Sequence, residues 1–216
     1  MKYAQEMAGR MPATMPFPEE FQALFDWMET NDFFMPSEAY PGDRLGLLGT
    51  SSDVQSDHVT AILFRTATPA QAREFSDAWF GEIIPNIERR LVPFARTGGD
   101  GSHAAFWLDD EGHRHIVHVG SEGLACLLGN TPLDFLRLLA IGYQEISGDC
   151  LDRPDEPPEE PCGNRAYRAW LSERYGVTIP ETAREILDLP DNEAENSGDP
   201  FWQWVRKIQD KQNEHA

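Results

Sequence analysis

The sequence predicts an α+β fold in which a mainly antiparallel β-sheet is flanked by helices. Strand-like runs cluster at 104–108, 116–119 and 124–128, instead of alternating with helices as a parallel βαβ fold requires. The Asp-Asp-Glu-Gly segment at 109–112 separates the first two runs, and this composition is typical of a hairpin turn. Helical patterns precede and follow the cluster, so we expect helices to pack on the sheet.

Apolar spacing and start signals predict three helices in the first two thirds of the chain. The first follows two acids at 19–20, which favour a helix N-terminus. The second begins at Thr68-Pro69 and the third at Thr131-Pro132, because Thr is a good N-cap and Pro fits the first helical position. A buried strand is predicted at 58–65, and 45–48 is a candidate for a further short strand. The apolar stripes of the helices comprise Phe21, Leu24, Phe25 and Met28; Ala72, Phe75, Ala78 and Trp79; and Leu133, Leu136, Leu139, Ala140 and Tyr143.

The chain has 216 residues, which is typical of one domain. Residues 145–161 hold seven acids and four prolines against the single base Arg153, a composition that predicts an extended, solvated connector. The predicted organisation is a flexible N-terminal arm at 1–16, an α+β core at 17–144, the acidic connector at 145–161 and C-terminal helices at 162–216 that pack on the core.

Charge excludes several classes of partner. The chain has 37 acidic residues and 18 lysines and arginines, which gives a formal net charge of −19. Nucleic acids and anionic membranes attract basic surfaces, so neither is an expected partner. No apolar run approaches the roughly 20 residues of a membrane span, and the N-terminus lacks the apolar segment of a secretory signal. Three cysteines without a disulfide pattern are typical of a protein in a reducing cytoplasm.

Sequence motifs of the common enzyme classes do not occur. The chain contains neither a phosphate-binding G-x-x-x-x-G-K-[ST] loop nor a G-x-S-x-G nucleophile elbow. It also lacks H-E-x-x-H and paired C-x-x-C metal motifs, and its three lysines all lie near the chain ends. We therefore predict no catalytic residue, no cofactor and no enzymatic activity.

A histidine-rich strand is the main local exception. Period-2 alternation places His113 and His115 on one face of the strand and His118 on the other, so the three cannot converge. His113 and His115 could bind a metal together with Asp109 or Asp110, whereas the simpler interpretation is a polar strand edge. We expect the polar edge and predict no metal site.

The segment from 93 to 143 resembles the SUKH superfamily, which contains a fungal cell-wall-synthesis regulator and many bacterial immunity proteins. The shared run is a P-F-A strand, a glycine loop, an aromatic strand, a turn, an apolar strand ending in G-S-E-G, and a helix with D-F-L. The resemblance implies a SUKH-like sheet flanked by helices. The residues that carry this pattern, and to which we assign structural roles, are Pro93, Phe94, Gly98, Trp107, Gly112, Gly120, Ser121, Glu122, Phe135 and Leu136.

The resemblance implies an immunity protein of a polymorphic toxin system. Such proteins act in the cytoplasm of the producing cell and neutralise a toxin, often a nuclease, by binding it directly. Nucleases are basic because they bind phosphates, so an acidic protein can occupy the same surface. The acids that we expect to contact a basic toxin domain are Asp109, Asp110, Glu111, Glu122, Asp155, Glu156, Glu159 and Glu160.

Two other functions are consistent with the sequence. A regulatory or scaffolding protein would use the acidic connector and the N-terminal arm to bind a cellular client. A small-molecule enzyme would use carboxylates, or His113 and His115, on a concave face of the sheet. The oligomeric state is not predicted.

Overall fold

The computed structural model describes residues 2–188 and 197–213. The α-helices are Tyr3–Gly9 (α1), Glu19–Asn31 (α2), Ser51–Gln55 (α3), Pro69–Phe80 (α4), Pro132–Ile141 (α5), Arg165–Tyr175 (α6) and Pro200–Asn213 (α7). The strands are Phe34–Pro36 (β1), Arg44–Gly46 (β2), Leu63–Phe64 (β3), Leu91–Arg96 (β4), His103–Leu108 (β5), Arg114–Val119 (β6) and Ala125–Leu127 (β7). Short 3-10 turns lie at Ile87–Arg89 and Ala183–Glu185, and a π-type turn lies at Ile146–Cys150.

The strands of the described residues form one antiparallel sheet in the order β1 to β7, so that each strand pairs with its neighbours in the sequence. The longest pairings join β4, β5 and β6, where Phe106 lies opposite both Val92 and Ile116. A bulge between Pro93 and Ala95 shifts the register of β4, at a proline that has no N–H to donate. The predicted α+β fold, an antiparallel sheet flanked by helices with further helices at the C-terminus, is confirmed.

Aromatic rings join the first face of the sheet to α2 and α5. Phe94 of β4 and Phe106 of β5 stack with their ring centroids 4.2 Å apart. Phe21 of α2 meets these two rings edge-on at 4.8 and 5.1 Å. Phe135 of α5 meets the ring of Phe94 at 5.5 Å. All four side chains are fully buried. Each aromatic pair stabilises the fold by about 0.5–1.5 kcal/mol in addition to the free energy gained by burying the rings.

The second face of the sheet packs against α4 and α7 over the strands β4 to β7. Trp107 of β5 lies 5.2 and 5.6 Å from the rings of Phe201 and Trp204 in α7. Phe80, at the end of α4, meets Trp204 at 5.9 Å. Over β1 to β3 the same face lines a cleft instead. The sheet therefore has one face in the main core and a second face that divides into a packed part and a cleft.

The structure corrects the prediction for the N-terminal arm. Residues 3–9 form α1, and its side chains Tyr3, Ala4 and Met7 are buried against the first sheet face. The Tyr3 hydroxyl donates to the carbonyl of Phe64 and accepts from the N–H of Gly46. The predicted flexible arm is therefore wrong at these positions. The spacing of the three apolar residues is already helical, although the helix is too short to be recognised from its period alone.

The acidic connector and the strand at 58–65 also differ from prediction. Within the connector, Ile146, Cys150 and Leu151 are buried, so this segment is not fully solvated. The predicted strand shortens to Leu63–Phe64 because the preceding backbone pairs elsewhere. The N–H of Thr60 donates to the side-chain oxygen of Asn164, which lies in the C-terminal part of the chain. A contact so distant in sequence has no local signal.

Asp199 fixes α7 to the sheet. Its Oδ1 accepts hydrogen bonds from the backbone N–H groups of Phe201 and Trp202, at 2.9 and 3.0 Å, in the manner of an N-cap. Its Oδ2 accepts from the N–H of Leu127 in β7 at 2.8 Å. One buried carboxylate thus joins the first turn of α7 to the last strand of the sheet.

We predict that Asp199→Ala lowers the free energy of unfolding by about 1–2 kcal/mol, because it removes an N-cap and leaves the N–H of Leu127 without its acceptor. The measurement is urea denaturation at pH 7. The matched control is Asp210→Ala on the exposed side of α7, which should change stability by less than about 0.5 kcal/mol. Equal effects of the two substitutions would contradict the role of Asp199.

Candidate functional site

The tip of the β5–β6 hairpin is organised by Asp109. Its Oδ1 accepts hydrogen bonds from the backbone N–H groups of Glu111 and His113, at 2.9 and 2.7 Å. Its Oδ2 lies 2.9 Å from Nε2 of His115. Burial opposes the ionisation of Asp109, but these hydrogen bonds outweigh it and lower its pKa to about 2. Asp109 is therefore ionised at neutral pH, and both of its carboxylate oxygens accept hydrogen bonds within the hairpin.

Of the other acids predicted near the sheet loops, Asp110 and Glu111 lie beside Asp109 at the hairpin tip, whereas Glu122 lies apart from them. Asp110 lies 2.8 Å from a guanidinium nitrogen of Arg90, and the side chain of Glu111 is 80% exposed. Glu122 is exposed in the turn that follows β6, at the end of that strand opposite to the hairpin tip. The structure thus brings Asp109, Asp110 and Glu111 together and places Glu122 elsewhere.

The hairpin tip also contains the residues considered for a metal. Ligand atoms of Asp109, Glu111 and His113 all lie within 4.8 Å of one another. His115 joins them only through its hydrogen bond with Asp109. His118 lies on the opposite face of β6, as the period-2 argument predicted, opposite Ala104 and Cys126. His113 and His115 both lie beside the carboxylate of Asp109, which also accepts the backbone hydrogen bonds of the turn. We therefore assign these three residues a structural role.

The predicted acids of the connector are partly paired within the chain. Asp155 forms a two-point ion pair with Arg184, at 3.0 and 3.2 Å. Arg153 lies 2.8 Å from Glu159 and 3.6 Å from Glu156. These ion pairs hold the connector in a defined path along the surface, where the acids stay exposed.

A cleft of about 610 Å³ lies between this connector and the segment that follows α3. We call it the acidic cleft, because three carboxylates and one arginine line it. The charged and polar residues of its lining are Ser56, Asp57, Gln144, Arg153, Glu159 and Glu160. The density of acids in the sequence indicated Glu159 and Glu160, but not Asp57, which is about a hundred residues distant in the chain and carries no motif.

Hydrogen bonds fix the floor of the acidic cleft. The amide nitrogen of Gln144 donates to Oδ1 of Asp57 at 2.7 Å, and the thiol of Cys162 donates to the amide oxygen of Gln144 at 2.5 Å. Burial raises the pKa of the Cys162 thiol to about 11, so this donor keeps its proton at neutral pH. The orientation of the Asp57 carboxylate is therefore set before any partner arrives.

The residues of the SUKH-like pattern lie in the strands β4 and β5, in the turns of the sheet and on α5. Phe94, Trp107, Phe135 and Leu136 are buried, whereas Glu122 is exposed. Pro93 stands at the bulge of β4, where its carbonyl accepts from the N–H of Ala67.

Two glycines of the pattern lie in turns of the sheet. Gly112 has a φ of +85° at the hairpin tip, a conformation that favours glycine. Gly120 lies against the backbone of Leu124 in the turn that begins β7, and a Cβ there would come 3.0 Å from that carbonyl oxygen.

Asp100 joins the glycine loop between β4 and β5 to the turn after β6 and to the π-type turn at Ile146–Cys150. Its carboxylate accepts hydrogen bonds from the hydroxyls of Ser102 and Ser121, at 2.7 and 3.0 Å, and from that of Ser147. A Cβ on Gly98 would lie 2.0 Å from the Ser147 hydroxyl and 2.5 Å from Oδ1 of Asp100, so a larger residue there would displace these two side chains from their hydrogen bonds. Ser121 of the pattern thus acts as a structural donor.

A second cleft, of about 590 Å³, lies over β1 to β3 on the second face of the sheet. We call it the cationic cleft, because Arg65 and Arg96 line it. No sequence motif indicated this site. Its floor and its helical wall are formed by Met35, Leu45, Leu63, Pro93, Gln71 and Phe75.

The two arginines of the cationic cleft are held differently. The guanidinium of Arg65 lies 2.6 Å from Oδ2 of Asp43 and donates to Gln71 at 2.8 Å, and its side chain is only 8% exposed. Arg96 donates to the carbonyls of Gly98 and Gly99 at 3.0 and 2.9 Å. The positive charge of Arg65 is thus balanced by a carboxylate, whereas the partners of Arg96 are neutral.

His103 completes the rim of the cationic cleft beside Arg96, its partner in the β4–β5 register. Its Nδ1 lies 2.7 Å from the carbonyl oxygen of Gly101, so this nitrogen carries the proton and donates. Burial lowers the pKa of His103, and the cation of Arg96 lowers it further against the opposing effect of the Gly101 hydrogen bond. The imidazole is therefore neutral at pH 7.

Comparisons of the chain with protein-family models, with curated proteins and with solved structures found no match. The similarity to the SUKH superfamily therefore stays a prediction from the sequence pattern. Within the described residues, no helix has both the length and the apolar character needed to cross a membrane.

We predict that His118 makes the protein sensitive to mild acid. Its side chain is buried, and burial lowers its pKa from 6.5 to about 4. Between these values the unfolded chain binds a proton that the folded chain does not, so stability is complete above pH 6.5 and falls as the pH falls toward 4. The full loss from this residue is about 3 kcal/mol. Denaturation of the wild type and of His118→Leu across this range measures it, and parallel pH profiles would contradict the prediction.

Proposed function

We propose that this protein is a non-enzymatic binding protein whose acidic cleft takes a basic side chain of a protein partner. The observation that carries the proposal is the lining of that cleft, where Asp57, Glu159 and Glu160 face a single cation, Arg153. An arginine or lysine of the partner would meet an excess of carboxylates. Hydrogen bonds between a cationic side chain and a carboxylate are stronger than those between neutral groups, because they are charge-assisted.

Preorganisation supports binding at this site. The Asp57 carboxylate is already oriented by Gln144, and Glu159 by Arg153, so little side-chain entropy is lost when a partner binds. The Asp57 backbone adopts the left-handed conformation, with a φ of +56°, which directs its side chain from a tight turn. Two of the three carboxylates of the acidic cleft are thus oriented by contacts within the chain.

The net charge of the whole chain also favours a basic partner. A net charge of −19 attracts positively charged proteins over a distance comparable to the Debye length, about 8 Å at physiological salt. Such attraction raises association rates and makes them salt-dependent. With the sequence resemblance, it favours a bacterial immunity protein that neutralises a basic toxin domain, such as a nuclease, in the cytoplasm.

The test is protection in co-expression. The wild-type chain should restore growth to bacterial cells that express one of the basic toxin domains encoded in the source genome. We expect Glu159→Lys/Glu160→Lys to weaken binding of that toxin by at least tenfold, because it reverses two charges in the acidic cleft. Affinity is measured with an inactivated toxin domain at two salt concentrations.

The matched control is Glu82→Lys/Glu173→Lys, which makes the same change in net charge at two exposed positions away from the cleft. It should retain most of the affinity, because only the long-range attraction is reduced. Absence of protection against every toxin domain of the genome would contradict the immunity function. Equal loss in the two double variants would contradict the role of the acidic cleft.

A further inference from the structure

The cationic cleft has the size and composition of a small-molecule site. Its volume of about 590 Å³ lies within the range of about 300–1,000 Å³ that is usual for ligand pockets. Aliphatic side chains of three neighbouring strands, Met35, Leu45 and Leu63, form the floor, and Phe75 of α4 forms part of the wall. A flat apolar floor with a few polar groups at its rim favours a ligand with an apolar body.

The walls of the cleft are fixed by contacts of their own. Arg65 is clamped between Asp43 and Gln71, and the ring of Tyr40 lies 3.8 Å from its Cζ. Phe75 packs edge-on against the ring of His103, with centroids 4.9 Å apart. The loop that carries Tyr40 is therefore joined to the sheet and to α4 on the same side of the cleft. The site is preformed rather than assembled by its ligand.

The charges at the rim indicate an anionic head group. Arg65 is balanced by Asp43, which also receives a hydrogen bond from Arg10 at 3.2 Å. Arg96 belongs to none of the ion pairs of the described residues and donates only to two carbonyls. Glu38, the acid that lines the cleft, is exposed at its mouth. Arg96 has no ion-pair partner among the described residues, so the lining offers one guanidinium to pair with a single carboxylate of a ligand.

We propose that the cationic cleft binds a small amphipathic monocarboxylate, with its carboxylate on the guanidinium of Arg96 and its apolar body on the floor formed by Met35, Leu45 and Leu63. This site is separate from the acidic cleft, and it does not depend on the proposed function. The planar fork of a guanidinium pairs with a carboxylate through two parallel hydrogen bonds, so Arg96 can exchange its carbonyl partners for the ligand.

Decanoate is the probe, with acetate, decanol and inorganic phosphate as comparison ligands, and calorimetric titration measures each affinity. We expect decanoate to bind at least tenfold more tightly than acetate, which lacks the apolar body, and than decanol, which lacks the charge. Phosphate should bind no better than acetate. Failure of decanoate to bind, or equal affinities for decanoate and decanol, would overturn the proposal.

Variants separate the two parts of the site. Arg96→Gln should weaken decanoate binding by at least tenfold and leave decanol binding unchanged, whereas Leu63→Gln should weaken both. The matched control, Arg89→Gln at an exposed position outside the cleft, should bind decanoate as the wild type does. Because decanol binding also reports whether Arg96→Gln is folded, an unchanged decanoate affinity in that variant would overturn the assignment of Arg96.

Discussion

The structure depends on the need to cover two faces of one antiparallel sheet. Strands β4, β5 and β6 carry apolar side chains on both faces, because Phe106 and Ile116 point to one side and Trp107 and Val117 to the other. An apolar face in water costs about 25 cal/mol per Å², so helices must pack on each side of these strands. The chain before and after the sheet supplies them: α1, α2 and α5 on the first face, α4 and α7 on the second.

The same requirement explains where binding surfaces remain. On the second face, α4 and α7 pack over β4 to β7, and the face over β1 to β3 becomes the floor of the cationic cleft. The acidic connector has too few apolar residues to form a layer of its own. It crosses the surface instead, anchored by Cys150 and Leu151, and its acids form one wall of the acidic cleft. Both clefts thus follow from how the helices and the connector cover the sheet.

Local signals in the sequence predicted much of this fold, and distant contacts account for what was missed. Thr68 and Thr131 cap their helices as the sequence indicated, and both form capping boxes. The strands around the hairpin at 109–112 were likewise recognised from alternation and turn composition. The cationic cleft was not, because its lining joins residues from 35 to 103 that share no motif. The acidic cleft was half recognised: charge density marked Glu159 and Glu160, but only folding brings Asp57 beside them.

The division of the second sheet face into a packed part and a cleft is the central claim, and cysteine labelling tests it most directly. Leu45 lines the cleft, whereas Ala105 lies on the same face under α7 and is fully buried. The natural cysteines are all buried, so the wild type gives a low background with iodoacetamide. We predict that Leu45→Cys is labelled in the native state, and that Ala105→Cys reacts only through unfolding, at least tenfold more slowly. Equal labelling rates for the two variants would contradict the account.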